Sequence, residues 1–284
     1  MYTYLKYLIY FISGSILITS ITIIAEKKSP KIAGIMMSLP VITFLSLLFM
    51  AISQGVGFSS KAAIWNPIGA IADLVYMGLF AVGIGLPGYI QKNTGRRESK
   101  YGKNEKITEI LAGLLFGFTG YFLFILISSK FQIASGWISL AYLWISAIIF
   151  YVLFKKLKEI KLEKPQLVSA KEILFRGLFG GGVVAAVMIL GDSAGHMWGG
   201  LFSSFPGTIT PVLVLLHLKN GKDMSCCVIK SAPIGLSGTG LYSCMVWLLY
   251  PVYGIIMGTL VSYLVVFVFL FILFFGLKRG IEEM

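Results

Sequence analysis

The sequence predicts an all-α, polytopic membrane protein. It has nine transmembrane helices, with two inverted-topology four-helix repeats joined by a linker helix. Three observations predict it. The 284 residues are 57% hydrophobic with a mean hydropathy of +0.87, far from the composition of soluble domains. Apolar runs long enough to cross ~30 Å of hydrocarbon recur along the whole chain. Positions 166 apart carry the same shape-determining residues.

The runs fall at 3–25, 32–53, 64–91, 107–128, 134–154, 173–191, 197–218, 229–249 and 252–277. They do not alternate polar and apolar residues, which excludes the strands of an outer-membrane barrel. Little chain remains outside them, so a soluble catalytic domain is excluded too. The first run contains one lysine, Lys6, and ends in "ITIIAEKKSPK" without a small-residue cleavage site. It therefore reads as a retained helix and not a signal peptide. The second run carries Pro40, the third Asp73 and the seventh Pro206. The fifth, "IASGWISLAYLWISAIIFYVLF", stands alone as the linker.

Basic residues set the expected orientation. Of the 24 lysines and arginines, 21 fall in or beside connections on one side of a nine-span path. Only Lys6, Lys61 and Lys130 fall on the other. The positive-inside rule then puts the N-terminus outside and the C-terminus in the cytoplasm of a multi-pass cell-membrane protein. The basic loops are topology signals first and contacts for anionic lipid headgroups second. They lack interleaved aromatics, so nucleic acid is not an expected partner. Cys226, Cys227 and Cys244 fit neither a disulfide framework nor a zinc site and read as small packing residues.

The repeat appears when 166 is added to positions in the first half. Gly14, Gly34, Ser38, Pro40, Gly55, Ser59 and Tyr76 land on Gly180, Gly200, Ser204, Pro206, Gly221, Ser225 and Tyr242. Pro67-Ile68-Gly69 lands on Pro233-Ile234-Gly235. The expected organisation is a first repeat over 1–128, a linker helix and basic loop over 129–165, and a second repeat over 166–284. Four helices return the chain to its starting side, and the fifth inverts the second copy. Transporters built this way place the substrate site at the midplane, where the halves meet.

The motifs also carry a family resemblance. "IAGIMMSLPVITFLSLLFMAISQG", followed by Pro-x-Gly and Tyr, resembles the GlpM-like inner-membrane family of short four-helix proteins. Residues 1–128 and 173–284 each look like one member, while the fifth segment does not. The resemblance implies architecture more than activity. The arrangement is also similar to that of fused double-domain fluoride channels, whose Gly-rich and Asn-containing motifs are not found here.

Pro40 and Pro206 would each remove one intrahelical hydrogen bond and free the carbonyl four residues back, at Met36 and Phe202. A tolerated kink is the plain reading. The functional one is a pair of broken helices lining a polar cavity. Asp73, in "PIGAIADLVYMG", costs at least ~3 kcal/mol at mid-membrane on insertion scales, so it faces protein or water. Its plain reading is a structural acid. The expected substrate or ion site is Asp73 with Ser38, Pro40, Thr43, Asn66, Ser204, Pro206, Thr208, Thr210, Ser237 and Thr239. Glu26, Asp192 and His196 are the expected entrance residues, with capping of the seventh helix by Asp192 or Ser193 as the plain alternative. His217 reads as interfacial.

No hydrolase pair, P-loop or HExxH occurs, so neither catalysis, a cofactor nor a metal is expected. The expected function is a transporter or channel for a small solute or ion, cation- or proton-linked, with an oligomer as an option. The alternative is a non-transport integral membrane subunit supporting envelope lipid or polysaccharide assembly.

Overall fold

Long runs of Leu, Ile, Val and Phe leave the backbone one way to satisfy its own amides in hydrocarbon, the helix. A computed structural model describes residues 2–26, 40–93, 102–157 and 169–282, and no strand occurs among them. The helices are α1 (Tyr2–Glu26), α2 (Val41–Gln54), α3 (Val56–Asn93), α4 (Lys103–Ser128) and α5 (Gly136–Phe154). They continue with α6 (Ala170–Ala194), α7 (His196–Phe202), α8 (Ile209–Asn220) and α9 (Lys222–Glu282). Six of them, α1, α3, α4, α5, α6 and α9, are long and apolar enough to cross a membrane. The chain is a membrane-embedded helical protein.

Several connections are single glycines. Gly55, Gly195, Gly221 and Gly254 have φ of 90°, 89°, 83° and 72°. Gly55 combines its φ with ψ 158°, a region essentially reserved for glycine. Each turns the chain between two helices without a loop. The gap 54–63 between the second and third expected runs is therefore one turn at Gly55 followed at once by helix. Gly254 splits α9 into two limbs, 222–253 and 255–282. The limbs run antiparallel, since the Tyr242 and Tyr263 rings pack with centroids 4.8 Å apart and Tyr250 bonds Thr259 at 2.8 Å.

The expected seventh helix, 197–218, is not continuous. It is interrupted over 203–208 between α7 and α8. Pro206 sits inside this break and does not free Phe202, whose carbonyl accepts from the Phe205 amide at 2.9 Å. Pro40 likewise precedes α2 and lies outside it. Ser38, Gly34 and Met36 lie outside the described residues.

The central element is α3, which packs against α2, α4, α5, α7 and α9. Two apolar cores flank it. One joins α3, α4, α5, α8 and the start of α9, and the other joins α1, α2, α6 and both limbs of α9.

Packing between α1 and α6 is antiparallel and reciprocal. A Cβ on Gly14 would touch Val184, and one on Gly180 would touch Ile18. Ser15 donates to the Gly177 carbonyl at 2.8 Å, while Gly181 lies against the Phe11 carbonyl and the Ser15 hydroxyl. Similar pairs recur elsewhere. Ser59 donates to Leu47 at 2.7 Å and Ser225 to Leu213 at 3.1 Å. Tyr76 meets Thr210, and Tyr242 meets Phe44. In every pair the partners differ by 166 in number.

Polar clusters sit at the two ends of α6. At its C-terminal end Asp192 accepts from Lys6 at 2.6 Å, Tyr7 at 2.8 Å and Gln54 at 2.5 Å. At its N-terminal end Glu172 pairs with Lys219 at 2.7 Å. Glu172 to Asp192 is about 30 Å of helix at 1.5 Å per residue, the thickness of a hydrocarbon core.

Candidate functional site

Two close approaches build the site against α3. A Cβ on Gly69 would run into the Leu201 carbonyl, and one on Gly200 into the Ala62 carbonyl. Glycine at both positions lets α7 press its backbone onto α3. The C-terminal end of α7 then delivers Ser203 and Ser204 beside Asn66, two turns before Asp73 on α3.

Asn66 is fully buried and holds this junction. Its two Nδ2 protons are shared among the hydroxyls of Thr43, Ser203 and Ser204, at 3.1, 2.7 and 2.8 Å. Its Oδ1 accepts from Ser243 at 2.5 Å. The hydroxyls pass their own protons on: Thr43 to the Ser203 carbonyl, Ser203 to Gly200 and Ser204 to Asn66. This one amide ties α2, α3, α9 and the break together.

Above the clamp is a cavity of about 30 Å³. Among the described residues it is lined by Ile42 and Thr43 at the start of α2, and by Asp73 and Met77 of α3. Residues 203–206, Thr208 and Ile209 of the break, and Leu236 and Thr239 of α9, complete it. All its polar side chains are buried, Asp73 with 7% exposure. Asp73 Oδ1 has no hydrogen-bond partner among the described residues. An unpartnered carboxylate oxygen in a low-dielectric interior is costly. The N-terminal ends of α2 and α8 both reach this cavity.

The structure thus gathers Asp73, Thr43, Ser204, Pro206, Thr208 and Thr239 around one space. It does not bring in every expected residue. Asn66 lies beneath, with its side chain spent on the clamp. Thr210 points away, donating to Tyr76 at 2.9 Å. Ser237 bonds its own helix at Ile234 and faces an apolar groove between α5 and α9, lined by Trp144, Ala147 and Phe269. Pro40 is buried at the start of α2 and is not among the lining residues.

The entrance residues separate. Asp192 neither caps α7, whose N-cap is Gly195, nor stands open. It closes the cluster with Lys6, Tyr7 and Gln54. His196 packs edge-on against Phe58 at 5.9 Å. The Glu26 side chain lies outside the described residues. His217 is not interfacial: it is fully buried, with Nε2 2.9 Å from Glu109 Oε2. Lys106 donates to the carbonyls of Leu218 and Lys219 at 2.9 and 3.3 Å, covering the C-terminal end of α8.

Sequence reading passed over Ser203 as a clamp residue, and over Glu109 and Arg176 as buried groups. Glu109 is 4% exposed and Arg176 0%. Arg176, one of the 21 basic residues expected in or beside connections, lies two turns inside α6 and within reach of Glu172 at 3.9 Å. No family model, curated protein or solved structure matches the chain, so the resemblance to the GlpM-like family is neither supported nor opposed by comparison.

Proposed function

We propose that the chain is a membrane transport protein or channel for a small solute or ion, cation- or proton-linked. The path runs at the interface of two inverted halves. One observation carries the reading: a buried carboxylate oxygen of Asp73, unpartnered among the described residues, lines a polar cavity at a helix break. Discontinuous helices that meet at mid-membrane are a recurrent way to build such sites.

The inverted repeat is part of the proposal. Supporting it are the reciprocal contacts between positions 166 apart and the antiparallel course of α1 and α6. A contact from i to j′ matched by one from i′ to j is what a two-fold axis produces. Antiparallel equivalent helices require that axis to lie across them, in the plane of the membrane. The nine-span count takes the expected run 32–53, the broken α7–α8 pair, and the two limbs of α9 each as one span. The asymmetry of basic residues then favours an outside N-terminus and a cytoplasmic C-terminus in the cell membrane, with anionic lipid at the basic loops.

The test is ion flux in proteoliposomes of the purified protein, followed by pH- and potential-sensitive dyes. Cation- or proton-dependent flux in the wild type, and none in Asp73→Asn, is expected. Equal flux in the two proteins would make Asp73 structural. Absence of flux for every ion and solute tried would favour the non-transport subunit.

A further inference from the structure

We infer that the Asp73 cavity is a binding site for one dehydrated monovalent alkali cation, and not for an organic solute. The inference deepens the transport reading and rests on it for its purpose. Its ligand chemistry comes from the donor and acceptor inventory of the cavity wall.

Size decides first. A cavity of about 30 Å³ holds one ion or about two water molecules. Pockets for organic ligands run to roughly 300–1,000 Å³. The solute of a coupled transporter would need a different space or a different conformation.

Hydrogen-bond direction decides next. A hydroxyl has one proton and two lone pairs. Thr43, Ser203 and Ser204 each commit the proton to a backbone carbonyl, at 3.1, 2.6 and 3.2 Å. The two Asn66 Nδ2 protons are shared among all three. At least one lone pair per hydroxyl is left, so these three groups can meet a ligand only as acceptors. Asp73 Oδ1 adds a fourth oxygen, also acceptor only when ionised. This side-chain set is all oxygen and acceptor-only, which suits a hard cation; the backbone N–H groups at the starts of α2 and α8 are donors beside it.

Charge then separates monovalent from divalent. Asp73 is the one carboxylate among the described lining residues. The N-terminal ends of α2 and α8 stand beside it, each equivalent to roughly +0.5 charge. They oppose any cation, and a divalent ion twice as strongly as a monovalent one. The single carboxylate can balance a monovalent ion and leaves a divalent ion at least one full charge short. Among the described residues no group of three His, Cys, Asp or Glu is placed to hold a metal ion.

The experiment is thermal unfolding of the intact purified protein in detergent at constant ionic strength. Choline chloride is replaced stepwise by NaCl, KCl or LiCl, with sodium gluconate as the anion control. A saturable rise in unfolding temperature with Na⁺ or K⁺ is expected, the same in gluconate, and lost in Asp73→Asn. Thr43→Val removes one lining oxygen and should weaken half-saturation about tenfold or more, which keeps the test decisive if Asp73→Asn does not fold. A rise of equal size in both variants overturns the site. So does a rise that follows the anion, appears only with Mg²⁺ or Ca²⁺, or appears only on lowering pH. Cation-dependent stabilisation without flux in liposomes would keep the site and reject transport. Flux without such stabilisation would do the reverse.

Discussion

Asp73 and Asn66 lie seven residues apart on one face of α3 and are both buried, yet their surroundings differ. Asn66 has both ends of its amide engaged with Thr43, Ser203, Ser204 and Ser243. Asp73 leaves Oδ1 unpartnered among the described residues. Asn66→Ala should therefore lower stability: two donated protons and one accepted bond at ~0.6 kcal/mol each, the membrane average, give about 2 kcal/mol. Asp73→Asn should instead hold or raise the unfolding temperature in cation-free buffer, because it removes a buried charge without changing shape. Both are measured by the same detergent unfolding assay. A strongly destabilised Asp73→Asn protein would mean that the carboxylate is a structural partner. Asp73 was legible as a lone charge in an apolar run. Ser237 and Thr239 were not separable, since two residues turn a helix by ~200° and only packing decides which one faces inward.

At the scale of the element, a proline signals that a helix ends but not how far the ending extends. Pro206 was readable as a disturbance. The six-residue break arises because Ser203 and Ser204 bond to Gly200 and Asn66, and Gly207 fits against Ile42 and Val183. Loops were over-read for a related reason. A single glycine with positive φ turns the chain, and apolar residues beyond it, such as Phe58, are drawn straight into helix packing. Gly55 and Gly57 test this. Neither has an atom within 4 Å of an added Cβ. Gly55→Ala should cost about 1–3 kcal/mol from backbone strain alone. Gly57→Ala, inside α3, should gain about 1 kcal/mol. Equal effects of the two changes would show that Gly55 does not hold its turn. Glu109, Arg176 and His217 escaped sequence reading because charge near a run's end looks like a boundary. Their burial depends on which helix ends meet.

On the scale of the whole molecule, the two ends of α6 carry matching positions with different chemistry. Lys6, Tyr10 and Ser53 of the first half correspond to Glu172, Arg176 and Lys219 of the second. The Lys6–Asp192 and Glu172–Lys219 pairs stand at opposite ends of the bundle. In the proposed topology one end faces outside and the other the cytoplasm. Cysteines placed in the 92–106 and 155–166 stretches of a protein freed of its native cysteines should react only from the cytoplasmic side. Reaction of either stretch from outside intact cells would contradict the orientation. Composition and residue spacing made the membrane class legible. They could not reveal that the reciprocal contacts meet at Ser15 and Gly181, because those two residues differ in type.

The central claim is the proposal that the Asp73 cavity lies on a transport path reached from both sides of the membrane. Thr208 lines that cavity and is 8% exposed. Thr208→Cys in the same cysteine-free background, reconstituted and treated with a membrane-impermeant thiol reagent, reads access from one side at a time. The account predicts reaction from both sides, with saturating Na⁺ or K⁺ shifting the balance between them. Reaction from neither side, or from one side only under every ionic condition, would contradict it.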